Sequence, residues 1–178
     1  MGLWQGCLAG IVAGLMAPGA ITALPSDSLS LVTAPTLPNL GPVADYLPQE
    51  SRHLVLRLGE RRVYVYRRER VVASYPVAIG RSGWETPTGN FKVLQAVKHP
   101  TWLHPFTGEV VPPGGDNPLG VRWIGFWTDG ENFVGFHGTP HPELIGQAVS
   151  HGCVRMRNED VVALFEQVEV GMRVIVEP

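Results

Sequence analysis

Charge, lysine and cysteine are all scarce in this chain of 178 residues, and each scarcity narrows what it can be. Fourteen Lys+Arg stand against 16 Asp+Glu, a formal charge of -2, with Lys92 and Lys98 the only lysines. Such a balance gives no basic footprint for nucleic acid. No internal repeat or heptad is present. No apolar run is long enough for a membrane span, which needs roughly 20 residues; the longest, Leu8 to Ala23, is broken by Pro18. What the chain has in quantity is Gly 21 and Pro 16. That composition suits a β domain rich in turns and loops.

The N-terminus reads separately. Residues 2–24 hold no charge, and the Ala/Gly-rich apolar run resembles a secretory h-region with Ala20 and Ala23 as small residues for cleavage. A positive n-region is missing, so residues 1–24 are expected to be a signal peptide or an uncleaved N-terminal anchor that associates with the membrane. Residues 25–50 space Pro25, Pro35, Pro38, Pro42 and Pro48 among Ser, Thr, Asn and Asp, the composition of an extended linker. Removal of the leader takes Cys7 with it and leaves Cys153 without a disulfide partner. A lone cysteine in an exported chain is a reactive thiol or an intermolecular bridge.

From Arg52 onward strands follow one another. His53 to Leu58, Arg61 to Arg67 and Val71 to Ile79 form an antiparallel meander, turned at Gly59-Glu60 and Arg68-Glu69-Arg70. Gly80 to Gly89 is a loop, and Asn90 to Val97 a further strand. Residues 99–118 form a long Pro/Gly-rich stretch with Trp102, His104 and Phe106, either a lid or a surface excursion. Leu119 to Trp127 and Asn132 to Phe136 are core strands. Pro142 to Gln147 is a short helix or turn. Asn158 is placed to cap a helix over Glu159 to Val168, and Met172 to Glu177 is the last strand. The expected fold is predominantly β, a sandwich of mixed strands with one or two helices and a Cys-bearing loop, over residues 52–178.

Two short stretches bear the chemistry: Phe136-His137-Gly138-Thr139 and Ser150-His151-Gly152-Cys153-Val154-Arg155-Met156. A thiolate is the reactive form of cysteine, and cationic or imidazole neighbours favour it. Cysteine beside a histidine base is the minimal set for nucleophilic acyl transfer. Cys153 is therefore the candidate nucleophile and His137 the candidate general base. No Asp is in position to orient the imidazole, which leaves the Gly138 backbone carbonyl or another local acceptor. Gly152 allows close backbone approach, and the N–H groups around Gly152 and Cys153 are oxyanion donors in prospect. His151 either titrates in the site or packs its loop. Ser150 is a rival nucleophile or a shaper of the loop. Arg155 binds a substrate carboxylate or makes a structural ion pair, and Arg157 reads as a surface charge.

Three other readings compete. His137, His141, His151 and Cys153 could make a zinc set, although structural zinc usually brings paired cysteines. The same thiol could serve a peptidase, or the fold could be a non-catalytic wall-binding module.

The motif residues resemble the YkuD type of L,D-transpeptidase catalytic domain: His137-Gly138, then Ser150-His151-Gly152-Cys153-Val154-Arg155. Three further stretches agree: Glu85-Thr86-Pro87-Thr88-Gly89-Asn90-Phe91, Asn117-Pro118-Leu119-Gly120 and Asn158-Glu159-Asp160-Val161. The resemblance covers residues 52–178. It implies a β-sandwich whose substrates are peptidoglycan stem peptides. Cys153 would expel the terminal D-alanine and form a thioester with the third residue, with His137 as base and then acid. A neighbouring stem amine would give a crosslink between third residues, water a carboxypeptidase, and a protein lysine wall attachment. Carbapenems would acylate Cys153. By the same resemblance His151 gains a site role and Arg155 a substrate-binding one. No metal or organic cofactor is implied, and the expected protein is a monomer exported to the periplasm or cell envelope. Some members carry a hydroxyl residue directly after the base histidine, where this chain has Gly138.

Overall fold

Alternation of apolar and polar side chains writes the first sheet. In a computed structural model, which describes residues 52–104 and 107–178, β1 (Arg52–Arg57), β2 (Arg62–Arg67) and β3 (Arg70–Pro76) form the expected antiparallel meander. Val63 and Val65 of β2 are fully buried while Tyr64 and Tyr66 face outward, as period-two geometry requires. The short β4 (Ile79–Gly80) follows, so the run from Val71 to Ile79 is broken after Pro76. Val77 N–H still donates to Arg61 O at 2.9 Å, but Ala78 N–H turns to Arg155 O at 2.9 Å, so the chain leaves β2 there.

The expected single strand over Asn90 to Val97 is two, β5 (Gly89–Lys92) and β6 (Gln95–Lys98), and they belong to different sheets. The switch takes place between adjacent residues. Val93 N–H donates to Met172 O at 2.8 Å on the first sheet, and Leu94 N–H donates to Gly125 O at 2.8 Å on the second. Residues 99–118 carry a small hairpin, β7 (Trp102–Leu103) with β8 (Val110–Val111); Phe106 lies outside the described residues. Next come β9 (Arg122–Thr128) and β10 (Phe133–His137), then a 3-10 turn at Pro142–Leu144. The chain closes with β11 (Ala148–Ser150), β12 (Val154–Arg155), α1 (Asn158–Phe165) and β13 (Arg173–Glu177).

Five strands make the first sheet, in the order β3-β2-β1-β13-β5, and four the second, in the order β12-β10-β9-β6. Each contains one parallel pair, β1 with β13 and β10 with β12, so the sandwich is mixed. One core joins the sheets. Leu54, Leu56, Val63, Val65, Val174 and Val176 face Ile124, Phe126, Val134, Phe136 and Val154. Each such side chain removed from water contributes about 1.5–3 kcal/mol. α1 packs against β9 and β10 and adds Val161 and Leu164 to this core. No helix of the described residues is long and apolar enough to cross a membrane. The leader and linker expected over residues 1–50 lie outside the described part of the chain.

Candidate active site

The second sheet has two unlike faces. Ile124, Phe136 and Val154 are neighbours in register and point into the core. One residue along each strand, Trp123, His137 and Arg155 are neighbours in register and point to the opposite face. Cys153, directly before β12, packs against Trp123 of that outer face. Trp123 joins the two reactive groups: it packs in one cluster with Leu119 and Cys153, and its ring stacks 6.1 Å from that of His137. Cys153 and His137 retain only 2% and 3% exposure. His137 is the last residue of β10 rather than its successor, so its main chain is tied into the sheet: its carbonyl accepts from Met156 N–H at 2.8 Å.

Burial, opposed by the Gly138 and Pro118 carbonyls and reinforced by the Arg155 charge, pushes the His137 imidazole down to about 4. The ring is therefore neutral near neutral pH. Its Nδ1 lies 2.6 Å from Gly138 O. A carbonyl only accepts, so Nδ1 holds the hydrogen and Nε2 is the basic nitrogen. This is the arrangement of a general base with a fixed tautomer.

The turn before Cys153 is held from inside. Ser150 Oγ donates to Cys153 O at 2.5 Å and accepts from Gly152 N–H at 3.2 Å. Ser150 is 1% exposed, and both bonds lock the loop. Gly152 has φ +109, which favours glycine. Because its N–H is held by Ser150, that group donates within the loop rather than outward. From the Gly80–Gly89 loop, Thr86 Oγ1 donates to Gly152 O at 2.9 Å and accepts from Gly80 N–H at 3.0 Å. Cys153 Sγ lies 3.7 Å from Phe133 O.

Gly138 is fixed by a residue read from sequence as a helix cap. Asn158 makes no cap bond; the cap position is Arg157, and Asn158 is the first residue of α1. Its Nδ2 donates to Thr139 O at 3.1 Å, and its Oδ1 accepts from Val121 N–H at 3.3 Å. A Cβ at position 138 would lie 2.1 Å from that Oδ1 and 3.2 Å from Gly120 Cα, so only glycine fits under the clamp.

The profile of the YkuD L,D-transpeptidase catalytic domain matches residues 51–176. The chain belongs to the L,D-transpeptidase family. It is 42% identical over 110 residues to YqjB of Bacillus subtilis, whose name assigns it to the L,D-transpeptidases, covering 60% of each chain. It is 33% identical over 124 residues to B. subtilis YkuD, covering 70% of this chain and 65% of that one. Against YbiS of Escherichia coli K12 the identity is 39% over 137 residues, 68% of this chain and 43% of that one. The chain thus spans 60–65% of the length of the Bacillus relatives and less of YbiS. An L,D-transpeptidase structure from Mycobacterium tuberculosis has a TM-score of 0.58 at 20% identity, covering 72% of this chain and 58% of that one. One from Enterococcus faecium has a TM-score of 0.58 at 23% identity, covering 71% and 50%. At these identities the structures show the shared fold.

Around the L,D-transpeptidase motif, the remaining expected residues separate into two groups. His151 is exposed, and its Nε2 lies 2.9 Å from Arg81 Nη2, with Trp84 edge-on at 4.9 Å. Burial, then the Arg81 and Arg155 charges, lower its pKa. His141 lies elsewhere, with Nδ1 3.3 Å from Glu143. The zinc set is thus not assembled, and among the described residues no group of three or more His, Cys, Asp and Glu could hold a metal. Arg157 is exposed. Sequence reasoning missed Arg81, Thr86, Trp123 and Asn158. Only Thr86 and Asn158 had a signal, since both lie inside stretches that match the L,D-transpeptidase pattern.

Proposed function

We propose that this chain is a cysteine-dependent L,D-transpeptidase acting on peptidoglycan tetrapeptide stems. The observation that supports it most is the neutral, tautomer-fixed His137 sharing Trp123 and one sheet face with the buried Cys153. His137 Nε2 takes the thiol proton as Cys153 Sγ attacks the carbonyl of the third stem residue. The Cys153 backbone N–H is assigned to the oxyanion, since the Gly152 N–H is engaged by Ser150. Collapse breaks the peptide bond, and the imidazolium passes its proton to the departing D-alanine amine, leaving a thioester. An amine of a neighbouring stem then attacks, His137 takes the amine proton and returns one to the sulfur, and a crosslink between third residues results. The buried setting of Cys153 favours an amine over bulk water as the acceptor. Residues 52–178 serve as the catalytic domain, as a monomer, with residues 1–24 as leader or anchor and 25–50 as linker, in the periplasm or cell envelope.

The test is incubation of the purified chain and its Cys153→Ala variant with tetrapeptide muropeptides, read by mass spectrometry. Cysteine-dependent loss of D-alanine with dimer formation is expected. Loss of D-alanine without dimers makes the protein a carboxypeptidase, and no Cys153-dependent product from folded protein overturns the reading.

A further inference from the structure

Arg81 is bound to the nucleophile loop twice. Its N–H donates to Ser150 O at 3.1 Å, and its side-chain Nη2 meets His151 Nε2 at 2.9 Å. Guanidinium has no acceptor, so His151 Nε2 must accept and the ring is the neutral Nδ1–H tautomer. Trp84 holds that ring from its edge, and Trp84 N–H closes the turn onto Arg81 O at 2.9 Å. Arg155, two residues after Cys153 in the chain, pairs in register with His137 across β10 and β12.

Two guanidinium groups thus bear on a neutral imidazole of the nucleophile loop, Arg81 by direct contact and Arg155 through its charge. Among the described residues neither has a carboxylate within ion-pair distance. The acid nearest Arg81 in sequence, Glu85, is turned onto Gly83 N–H at 2.8 Å. A guanidinium without a carboxylate partner is matched best by a bidentate carboxylate. Burial first, and then both charges, disfavour protonation of His151.

We propose that Arg81, held by His151 and acting with Arg155, is a specificity-determining residue that binds a free carboxylate of the donor stem beside Cys153. The inference rests on the donor reading above and adds to it the group being recognised. That carboxylate belongs either to the terminal D-alanine or to the side chain of the third residue. His151 is then a positioning residue, a neutral prop that aims the guanidinium without competing for the anion.

The experiment uses matched donor tetrapeptides: the free acid, the D-alanine C-terminal amide, and the amide of the third-residue side-chain carboxylate. Affinity is measured by calorimetry on the Cys153→Ala chain with Arg81, Arg81→Lys or Arg81→Met. The KM and kcat of D-alanine release are measured on the same Arg81 series with Cys153 intact. Arg81→Met is expected to weaken the free acid roughly tenfold to a hundredfold, the range for a charged hydrogen-bonded pair. KM rises while kcat holds, and Arg81→Lys recovers part of the loss. Against one of the two amides Arg81→Met is expected to be silent, and that amide names the carboxylate. An equal loss on all three donors, or none on any, overturns the proposal. Absence of turnover in the Cys153 chain counts against the transpeptidase reading instead, because the calorimetric contrast between acid and amide needs no reaction.

Discussion

Gly138 contributes no side chain, and its place in the site depends on that. The Gly138 carbonyl sets the tautomer of His137, while Asn158 reaches over it to Thr139 O and Val121 N–H. A methyl group at position 138 would collide with Asn158 Oδ1, so Gly138→Ala must displace the clamp or the carbonyl. Overpacking of this kind costs about 1–3 kcal/mol. Expected is a lower denaturation midpoint and a loss of kcat. Asn158→Ala removes the colliding oxygen, so the Gly138→Ala/Asn158→Ala pair should lose less than the sum of the two single changes. A double-mutant cycle read by urea unfolding checks this, and strict additivity would sever the link between the two residues.

The Gly80–Gly89 loop and the nucleophile turn are separate in sequence and joined by one hydroxyl. Thr86→Val keeps the shape of that side chain and strands Gly152 O and Gly80 N–H in a buried setting. The expected loss is about 2 kcal/mol, larger than for Thr86→Ser, which keeps both bonds. Chemical denaturation ranks the two variants, and D-alanine release should fall in the same order. Loops of this kind mark the limit of what was legible in the sequence. The strands of the meander were readable because Val63 and Val65 alternate with Tyr64 and Tyr66 between turn residues. The family motif that carries His137 and Cys153 was readable because reactive side chains are few and their spacing is characteristic. The break between β5 and β6 was not, since Phe91 to Val97 contains no glycine or proline to mark a change of sheet. Asn158 read as a cap because a polar residue before Glu159 and Asp160 has that local signature, whereas its actual partners lie 19 and 37 positions away. Arg81 gave no signal, because its meaning arises only when β4 pairs with β11 and brings the loop beside His151.

At the scale of the whole molecule, a buried neutral imidazole ties stability to pH. The His137 pKa falls from 6.5 to about 4 on folding, so between those values the unfolded chain binds the extra proton. The stability this group gives is complete above pH 6.5 and is lost progressively as the pH falls toward about 4. The expected loss is on the order of 2 kcal/mol between about pH 7 and about pH 4.5. Urea midpoints across that interval measure it, and His137→Gln should flatten the slope; an unchanged slope would mean that the ring is not held neutral in the fold. The sheet order has a consequence of another kind. β13, the last strand, lies between β1 and β5 at the interior of its sheet, paired in parallel with the first strand. Synthesis from the N-terminus makes β1, β2 and β3 early and leaves one side of β1 bare until Arg173–Glu177 emerges. Unpaired strand edges recruit other chains. The bare β1 edge is therefore the surface that a holding chaperone would have to cover while the rest of the polypeptide is still being made.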